Sequence, residues 1–570
     1  MMAPRMADGL YFLPLGGCEE IGMNVNLYAC AGKWLIVDLG VTFADDRLPG
    51  VDLVLPDISF LDGRQDDILG IVLTHAHEDH FGAVGYLWPR LRCPVYATPF
   101  TAELLARKLD EAGLLNEVPV HVVPLGGRLE LGPFDLSYIN LTHSIPEPNA
   151  LAIRTPHGTI LHTGDWKLDP EPLLGATTDI ACLEQMGTDG VLALVCDSTN
   201  VFEPGHSGSE SQVRTRLMDL IGGLSGGRVA ATAFSSNVAR IVTLAQAGAA
   251  AGRQVVLVGR SLKSTVAAAR RCGYLHDMPP LLDETEAGGL PAERAFYICT
   301  GSQGEIRGAL ARIAAGEHPN VSLGTGDSVI FSSRRIPGNE RGIARLYNRL
   351  AALGVRVVTE VDDLIHVSGH PCRDELAQMY RWARPRIAIP VHGERRHLNE
   401  HAQLARSLQV GQALVPTNGS LIRLAPGPAE IVDQVVAGRL VVDGICLVPA
   451  DGAAMTERRR LLYNGHLAIS LTVNGAGVPL APVRVSICGV PMADAPDETL
   501  TGQVEAAVHE AVNGLDRRIA GNDEKLSEVV RIAARRACRA QTGKRPVTKV
   551  HLTRLGADHA PRARAVGERI

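Results

Sequence analysis

The segment Thr74-His75-Ala76-His77-Glu78-Asp79-His80 is the sharpest feature of the sequence, because it places three histidines and an aspartate within six consecutive residues. It follows the apolar run Ile68–Leu73, which predicts a buried β-strand. Imidazole nitrogens and carboxylate oxygens at the end of a strand are donors that suit zinc or manganese. The segment therefore predicts a metal-binding loop rather than an ordinary polar turn.

Three further candidate ligands follow other predicted strands: His143 in Leu141-Thr142-His143-Ser144, Asp165 in His162-Thr163-Gly164-Asp165, and His392 in Val391-His392-Gly393-Glu394. A single histidine after a strand is more often a surface or capping residue, so each position alone is a weak signal. Together with the first loop, however, they fill two coordination spheres that share a carboxylate. That arrangement is typical of a two-metal hydrolase.

Composition predicts a soluble globular protein of several domains. The chain has 570 residues, of which 46% are hydrophobic and 21% charged. We see no apolar run of the ~18 residues that a membrane span needs and no signal peptide in Met1–Met23, so we expect a cytoplasmic protein. The 11 cysteines are dispersed without C-x-x-C spacing, which favours reduced thiols over disulfides or a zinc knuckle.

The charge of the chain is uneven. The net charge of −6 excludes a bulk positive field, yet residues 531–570 carry eleven basic side chains against Asp558 and Glu568. This basic end is either a solvated helix face with a frayed tail or a surface for a polyanion. It could serve RNA contact or self-association, and the sequence leaves these interpretations open.

The secondary-structure pattern changes twice along the chain. The first 215 residues are predicted as short strands with few helices, and from about Gln212 strands alternate with helices such as Gly304–Ala315, which favours βαβ units around a parallel sheet. Around Arg384–His392 a strand ending in a polar loop returns. Beyond Pro449 we expect strands followed by helices over Leu500–Ala520 and Glu524–Ala540.

Taken together, H-x-H-x-D-H, a later histidine, H-T-G-D and a distant histidine resemble the metallo-β-lactamase fold. The chain between them carries further motifs: Cys196-Asp197-Ser198-Thr199-Asn200, Ala233-Phe234-Ser235-Ser236-Asn237, Cys299-Thr300-Gly301-Ser302-Gln303-Gly304-Glu305, Phe331-Ser332-Ser333, Ile336-Pro337-Gly338-Asn339 and His366-Val367-Ser368-Gly369-His370. This set resembles the β-CASP nucleases, and within them the bacterial ribonuclease J family, from about Leu13 to Asp443.

The resemblance implies an α/β protein: a metallo-β-lactamase αββα sandwich with an inserted β-CASP α/β domain and a small α+β C-terminal domain. We expect the first part of the metallo-β-lactamase domain at 1–211, the β-CASP domain at 212–369, the second part at 370–450, and a linker with the C-terminal domain at 451–570. The RNA cleft would lie between the metallo-β-lactamase and β-CASP domains.

The resemblance also implies two divalent metal ions per subunit, with zinc favoured and manganese or magnesium as alternatives in activity. By likeness, His75, His77 and His143 hold one ion, Asp79, His80 and His392 hold the other, and Asp165 bridges them. Such ions lower the pKa of water and so provide a nucleophile for in-line attack on phosphorus.

Other residues match the family's catalytic and substrate-binding positions. The catalytic set is His370 as general acid or transition-state stabiliser, Asp197 as the group that orients it, and Asp165. A pocket for a nucleotide phosphate would comprise Phe234, Ser235, Ser236, His366, Val367, Ser368, Gly369 and His370. Taken singly, His370 could be a packed loop residue and each serine an ordinary cap or turn, so the pocket rests on the whole set.

Four positions carry open or weaker interpretations. Arg334 and Arg335 stand where the family usually has small polar residues, and they either contact phosphate in the cleft or are solvated. Asp443 matches a peripheral cation site of some relatives. Trp166 is either a stacking platform for a base or, more in keeping with its neighbours, a core residue. A further departure, alanine for glycine in the first metal motif, should be tolerated.

The resemblance implies a 5′→3′ exoribonuclease that prefers 5′-monophosphate ends of single-stranded RNA and also cuts internally, with roles in ribosomal RNA maturation and mRNA decay. We expect a homodimer or homotetramer, with RNA-degradation partners unidentified and no membrane. A DNA nuclease of the same fold is the alternative, but by family likeness His392 favours RNA as the substrate. A small-ester or lactam hydrolase would lack the insertion, and a non-catalytic RNA-binding scaffold would be expected to lose ligands.

Overall fold

A computed structural model describes residues 8–336, 338–491 and 497–556 of the chain. The basic residues Arg562, Arg564 and Arg569 of the charged C-terminus, with Asp558 and Glu568, lie outside these described residues. The chain divides into two compact units, one of Met1–Phe43 with Leu53–Leu440, and one of Ala44–Asp52 with Val441–Ile570. None of the helices in the described ranges has the length and apolar character to cross a membrane.

The first unit begins with a region rich in strands. Its strands are Leu10–Gly16 (β1), Val25–Cys30 (β2), Lys33–Val37 (β3), Thr42–Phe43 (β4), Leu53–Pro56 (β5), Ile68–Val72 (β6), Val95–Ala97 (β7), Val120–Val122 (β8), Arg128–Leu131 (β9), Phe134–Asn140 (β10), Asn149–Thr155 (β11), Gly158–His162 (β12) and Ala193–Asp197 (β13). Its helices are Glu78–Phe81 (α1), Val84–Leu91 (α2), Pro99–Glu111 (α3) and Ile180–Asp189 (α4), with 3₁₀ turns at Ser59–Leu61 and Gln65–Asp67.

From residue 210 strands and helices alternate. The helices are Glu210–Gly222 (α5), Val238–Ala250 (α6), Arg260–Arg271 (α7), Ala309–Ala314 (α8) and Glu340–Ala352 (α9). The strands are Val229–Thr232 (β14), Gln254–Val258 (β15), Leu281–Asp283 (β16), Ala295–Cys299 (β17), Ser328–Phe331 (β18) and Arg356–Val358 (β19), with 3₁₀ turns at Glu284–Gly289 and Ala292–Arg294.

The remaining elements complete the first unit and form the second. They are Arg373–Ala383 (α10), Ile387–Val391 (β20), Arg395–Ser407 (α11), Gln412–Ala413 (β21), Ser420–Ala425 (β22), Glu430–Gln434 (β23), Arg439–Asp443 (β24), Cys446–Pro449 (β25), Ala453–Asn464 (α12), His466–Asn474 (β26), Arg484–Cys488 (β27), Asp497–Val512 (α13), Arg517–Ala520 (α14), Asp523–Thr542 (α15) and Val547–Leu555 (β28).

Two sheets form a sandwich in the first unit. One has the strand order β23-β22-β1-β2-β3-β6-β7-β8 and the other β21-β20-β13-β12-β11-β10-β9. Apolar side chains of both sheets fill the space between them: Phe12, Tyr28, Val37 and Val72 from the first, and Leu136, Ile153, Val195 and Ile389 from the second. Helices α4, α10 and α11 cover the outer face of the second sheet. This burial of both sheet faces explains the apolar runs of the sequence.

A parallel six-stranded sheet of order β16-β15-β17-β14-β18-β19 is inserted in this sandwich. Helices α5 to α7 pack on one of its faces and α8 and α9 on the other. Strands β13 and β20, which flank the insertion in sequence, are parallel neighbours in the sandwich with Asp197 paired to Val391. The predicted α/β class with an inserted domain is therefore confirmed, whereas the predicted domain boundaries stay predictions.

Two predicted helices are wrong in part. The helix expected over Gly304–Ala315 begins only at Ala309, because Gly301 and Gly304 adopt φ angles of 108° and 75° that a right-handed helix does not contain. The helix expected over Leu500–Ala520 is interrupted after Val512, where Gly514 has φ 91°. In the second unit, β27, β26 and β28 form a sheet whose core includes Leu467, Ile469, Val504 and Val530.

Candidate metal centre and RNA-binding cleft

The candidate ligands all lie at one edge of the sandwich, because each follows the end of a strand. The loop with His75 and His77 follows β6 and leads into α1, and His143, Asp165 and His392 follow β10, β12 and β20. The backbone of His392 is left-handed, with φ 52°, and its N–H donates to Gly17 O at 2.6 Å. A non-glycine residue in this region is strained, and such strain often marks a functional site.

The first ligand cluster contains His75, His77, His143 and Asp165. His77 Nδ1 lies 3.1 Å from His75 Nε2 and 3.0 Å from His143 Nε2. Asp165 Oδ2 lies 3.8 Å from His75 Nε2 and 3.9 Å from His143 Nε2. Ligand atoms of a tetrahedral zinc site lie about 3.3 Å apart when the metal–nitrogen bonds are about 2.0–2.1 Å. The three nitrogens therefore have the spacing of ligands that converge on one cation.

The second ligand cluster contains Asp79, His80, His392 and again Asp165. Asp165 Oδ2 lies 3.2 Å from His80 Nε2 and 3.6 Å from His392 Nε2. Asp79 Oδ2 lies 3.7 and 3.8 Å from the same two nitrogens. Asp165 Oδ1 is buried without a hydrogen-bond partner, which is costly unless a cation satisfies it. The donor set and this orphaned oxygen fit two divalent cations bridged by Asp165.

Hydrogen bonds fix which nitrogen each imidazole offers to a metal. Asp38 Oδ2 accepts from His80 Nδ1 at 2.7 Å and Gly369 O from His143 Nδ1 at 2.5 Å, while the side-chain amide of Asn24 lies 2.8–2.9 Å from His392 Nδ1. Ring nitrogens of His75 and His77 lie 3.0 and 3.1 Å from Thr74 Oγ1 and Ser236 Oγ respectively. Such partners orient metal-binding imidazoles and raise their basicity. The close approach of His143 also explains Gly369, since a Cβ there would lie 2.8 Å from the ring.

Two supporting residues, Asp38 and Asn24, were not predicted from the sequence. Asp38 directly follows strand β3 at the same sheet edge as the ligands, and it also accepts from the backbone N–H and hydroxyl of Thr74 at 2.8 and 2.9 Å. Its position directly after an apolar strand is a sequence signal from which it could have been predicted. Asn24 stands in no motif of charged residues, so only the structure identifies it.

Burial and charge set the protonation of the cluster. Burial and the neighbouring imidazoles hold the pKa of His75 and of His143 well below the usual value. Burial likewise lowers the pKa of His77 to about 4, although Asp79 and Asp165 oppose the shift. Burial raises the pKa of Asp165, but His392 and His80 outweigh it and hold that pKa well below its usual range. Burial lowers the pKa of His80, but the carboxylates of Asp165, Asp79 and Asp38 outweigh it and raise that pKa well above its usual value. The three imidazoles of the first cluster are thus neutral, as metal coordination requires, whereas His80 would have to lose its proton to a bound cation.

His370 lies beside the two clusters and is oriented by Asp197. Its Nδ1 lies 2.8 Å from Asp197 Oδ2, while Asp197 Oδ1 accepts from the N–H and hydroxyl of Thr199 at 2.8 and 2.7 Å. Burial lowers the pKa of His370, but the carboxylates of Asp197 and Asp165 outweigh it and raise the pKa to about 9. The imidazolium, which can donate a proton, is therefore the favoured form of His370.

The residues matched to the phosphate pocket lie on two neighbouring loops. The rings of Phe234 and His366 are 6.5 Å apart, and Ser368 Oγ accepts from Asn200 Nδ2 at 2.7 Å and from His370 N at 3.2 Å. Ser235 is half-buried beside Ser236, which contacts His77 as described, and Val367 is buried. The structure thus brings the matched residues to the metal centre, and their roles in binding stay predictions.

Positive charge surrounds His366. The fully buried guanidinium of Arg240 pairs with Glu210 at 2.8 Å and donates to Ser332 O and Ile365 O. Its Nη1 lies 3.5 Å from His366 Nδ1. Burial, together with Arg240, Arg334 and Lys167, holds the pKa of His366 well below the usual value. These three cationic side chains near the ring are each paired with a carboxylate: Arg240 with Glu210, Arg334 with Glu203 and Lys167 with Asp169.

The structure clarifies the positions with open interpretations. Arg334 donates to Asn200 Oδ1 at 2.9 Å and to Glu203 Oε1 at 2.8 Å, whereas Arg335 lies 3.8 Å from Glu360. Trp166 is fully buried, so its interpretation as a stacking platform is wrong. The carboxylate of Asp443 pairs with Arg458 at 2.6 Å, and a peripheral cation there stays a prediction.

Comparison with family models covers most of the chain. Residues 23–217 match the metallo-β-lactamase superfamily, 226–350 the ribonuclease J β-CASP domain, 354–416 the Zn-dependent metallo-hydrolase RNA specificity domain, and 453–555 the ribonuclease J C-terminal domain.

Relatives of similar length are named ribonuclease J. A ribonuclease J of Sinorhizobium meliloti is 46% identical over 96% of this chain and 98% of its own length. A ribonuclease J of Mycolicibacterium smegmatis is 41% identical over 85% of this chain and 87% of its own. A crystal structure of a protein of unknown function from Enterococcus faecalis matches with a TM-score of 0.51 at 18% identity, over 73% of this chain and all of that one, which supports the fold alone.

Proposed function

This chain belongs to the ribonuclease J family and is a metal-dependent ribonuclease, and we propose that it degrades single-stranded RNA 5′→3′ from 5′-monophosphate ends and also cuts internally. The observation that carries this proposal is the pair of ligand clusters sharing Asp165, with His370 and the matched phosphate pocket beside them. The clusters support metal-dependent cleavage at this edge of the sandwich, and the matched pocket would account for a preference for one kind of RNA end.

In the proposed reaction His75, His77 and His143 would hold one divalent cation, Asp79, His80 and His392 would hold the second, and Asp165 would be a ligand of both. The cations, when bound, supply Lewis acidity at the scissile phosphate and favour the ionisation of water near neutral pH. The chain itself keeps the imidazoles in the required tautomers through the hydrogen bonds made by Asp38, Asn24 and Gly369.

His370 is proposed as the proton donor to the leaving oxygen. Because Nδ1 is bonded to Asp197, Nε2 is the ring atom that can hold the transferred proton. Protonation of the departing 3′ oxygen leaves a 3′-hydroxyl on one product and a 5′-phosphate on the other. The latter is again a monophosphorylated end, so one cleavage prepares the substrate for the next.

The pocket proposal rests on the hydroxyls and positive charge around His366. Ser368, Ser235 and His366 offer hydrogen-bond donors beside the metal centre, and the guanidinium of Arg240, which is also paired with Glu210, lies 3.5 Å from the His366 ring. A terminal monophosphate carries more negative charge than an internal phosphodiester and presents more free oxygens. A 5′-hydroxyl end offers neither, which would make it the poorer exonuclease substrate.

Further proposals concern the cation and the setting. Zinc is favoured because the donors are imidazoles and carboxylates in small clusters, and manganese or magnesium could support activity. By family likeness we place the protein in the cytoplasm as a homodimer or homotetramer that acts in ribosomal RNA maturation and mRNA decay. Sedimentation of the purified protein and the RNA pattern of a depleted strain would test these points.

A single cleavage assay tests the proposed reaction. Labelled single-stranded RNA and DNA of the same sequence are incubated with the protein and Mn²⁺, Mg²⁺ or Zn²⁺. We expect RNA cleavage that yields 5′-phosphate and 3′-hydroxyl ends and is lost in Asp165→Asn. Cleavage of the DNA but not of the RNA would contradict the proposal and indicate a DNA nuclease. Binding of RNA without cleavage would also contradict it and indicate a non-catalytic scaffold.

A further inference from the structure

Phe202 is an exposed aromatic side chain close to the metal centre. Its surface is 49% exposed, and only three other aromatic side chains in the described part of the chain are comparably exposed: Phe43, Tyr86 and Tyr463. Phe202 follows Asp197 by five residues, which limits their separation to about 17 Å. That span corresponds to about five stacked nucleotides at about 3.4 Å each.

A second segment leaves the metal centre and meets Phe202 at the surface. Helix α11 begins three residues after the candidate ligand His392, and its residues Arg396 and His397 flank the ring. The Arg396 guanidinium lies over the phenyl ring at 5.7 Å from its centroid, and the His397 ring stands edge-on at 5.3 Å. The ring is therefore fixed relative to the catalytic residues by two separate connections.

The turn that carries Phe202 is held at several points. Glu203 N donates to Asn200 O at 2.9 Å, which closes the turn with Phe202 inside it. Arg334 bonds the side chains of both end residues, Asn200 and Glu203. Arg373 donates from its backbone to Glu203 O at 2.9 Å and from its guanidinium to Val201 O at 3.3 Å. An aromatic ring on such a turn loses little conformational entropy when it binds a flat ligand.

Charge does not explain this surface, because each arginine has an acidic partner. Arg396 pairs with Glu394 at 2.9 Å, Arg334 with Glu203 at 2.8 Å, and Arg373 with Glu400 at 2.7 Å. A net positive field would have pointed to phosphates. The half-exposed phenyl ring, with the Arg396 guanidinium over it, offers instead a flat surface of the kind on which bases of single-stranded RNA stack.

We propose that Phe202 and Arg396 form a stacking platform for one nucleobase of the RNA strand bound in the cleft. The inference rests on the proposed function, because it names a base subsite for the same substrate. Stacking accepts any base, so the platform would strengthen binding of single-stranded RNA without selecting its sequence. The fully buried Trp166 cannot serve in this way.

The test compares kcat and kcat/KM for a short single-stranded RNA in Phe202→Ala, Phe202→Leu, Phe202→Trp and the control Tyr86→Ala. We expect Phe202→Ala and Phe202→Leu to lower kcat/KM about five- to a hundredfold with kcat changed little. Phe202→Trp should stay near wild type because it retains a flat ring, and so should Tyr86→Ala. The salt dependence of kcat/KM should be the same in all variants, since no phosphate contact is lost.

The decisive experiment measures kcat/KM for a series of RNAs in which one abasic residue is placed at each position in turn. At one position the abasic RNA should lose as much kcat/KM as Phe202→Ala does, and combining the two should cause no further loss. The platform would be overturned if the losses of kcat/KM were additive at every position, or if Phe202→Ala had the kcat/KM of wild type. Neither result would contradict the proposed ribonuclease activity. Binding of 2-aminopurine-labelled RNA in the presence of a chelator tests the platform separately from the ribonuclease activity. Quenching of the 2-aminopurine fluorescence by wild type but not by Phe202→Ala would support the platform even if the protein cleaves no RNA.

Discussion

Replacing Asp197 by asparagine isolates the contribution of the carboxylate that orients His370. In the wild-type protein Asp197 Oδ1 accepts two hydrogen bonds from Thr199, and Oδ2 lies 2.8 Å from His370 Nδ1. In the variant, the Thr199 donors would hold the oxygen of the new side-chain amide on their side, so its NH₂ group would face His370. Nδ1 would then have to accept a hydrogen bond, and the imidazolium form would lose its partner.

The magnitude follows from that one interaction. A hydrogen bond to a charged group contributes about 1.5–3 kcal/mol, and about 1.36 kcal/mol changes a rate tenfold. We therefore expect Asp197→Asn to lower kcat about ten- to a hundredfold. His370→Ala should lower it by the larger factor of about 10²–10⁴ that is typical of general acid catalysis. RNA affinity should fall much less than kcat in both variants, because the serines and His366 of the pocket are unchanged.

The assay is steady-state cleavage of 5′-monophosphorylated RNA, with RNA affinity measured separately by fluorescence anisotropy. Asp189→Asn is the matched control, because Asp189 is an exposed aspartate at the end of α4 that accepts a hydrogen bond from Gln185 on the same helix. A kcat of Asp197→Asn within about twofold of wild type would refute the orienting role. Equal losses of kcat and of RNA affinity would show instead that the pocket had been disturbed.

Three other perturbations separate the parts of the site. His77→Ala should lower the metal content measured by mass spectrometry and abolish cleavage while RNA binding survives, and full turnover would contradict the ligand assignment. Arg334→Ala should lower kcat about tenfold, because it releases the Asn200 side chain that holds Ser368 and His370, whereas Arg335→Ala should behave as wild type. Treatment with EDTA should abolish turnover and lower the melting temperature by a few degrees, since cations bind only the folded clusters; an unchanged melting curve would count against preformed sites.

The metal-ligand positions could be predicted because local sequence specifies them. His75, His143, Asp165 and His392 stand one to a few residues after an apolar strand, Asp79 and His80 lie in the short helix that follows the first of these loops, and strand ends of one sheet edge meet in space. His143, Asp165 and His392 therefore converge although more than two hundred residues separate the last two. The inserted sheet was equally predictable, since strands such as Gln254–Val258 are short apolar runs between amphipathic helices.

The supporting interactions were not predictable from sequence, because they join distant segments. Asn24 reaches His392 across 368 residues, and Gly369 accepts from His143 across 226. The role of Arg334 depends on which hydrogen-bond acceptors the fold places beside it. The sequence alone did not favour either interpretation of this residue, contact with phosphate or exposure to solvent. Phe202 was not predicted because an apolar residue after Val201 is typical of a core position, and only the structure shows its ring exposed at the surface.

In the proposed function one site combines metal-dependent RNA hydrolysis with recognition of a 5′-monophosphate. The most direct measurement is cleavage of one uniformly labelled RNA prepared with 5′-monophosphate, 5′-triphosphate or 5′-hydroxyl ends, with Mn²⁺ or Mg²⁺ and matched single-stranded DNA as control. We predict that mononucleotides are released fastest from the monophosphorylated RNA and that the DNA stays intact. Internal cuts at equal rates for all three ends would contradict the proposed pocket, and intact RNA in every reaction would contradict the ribonuclease itself.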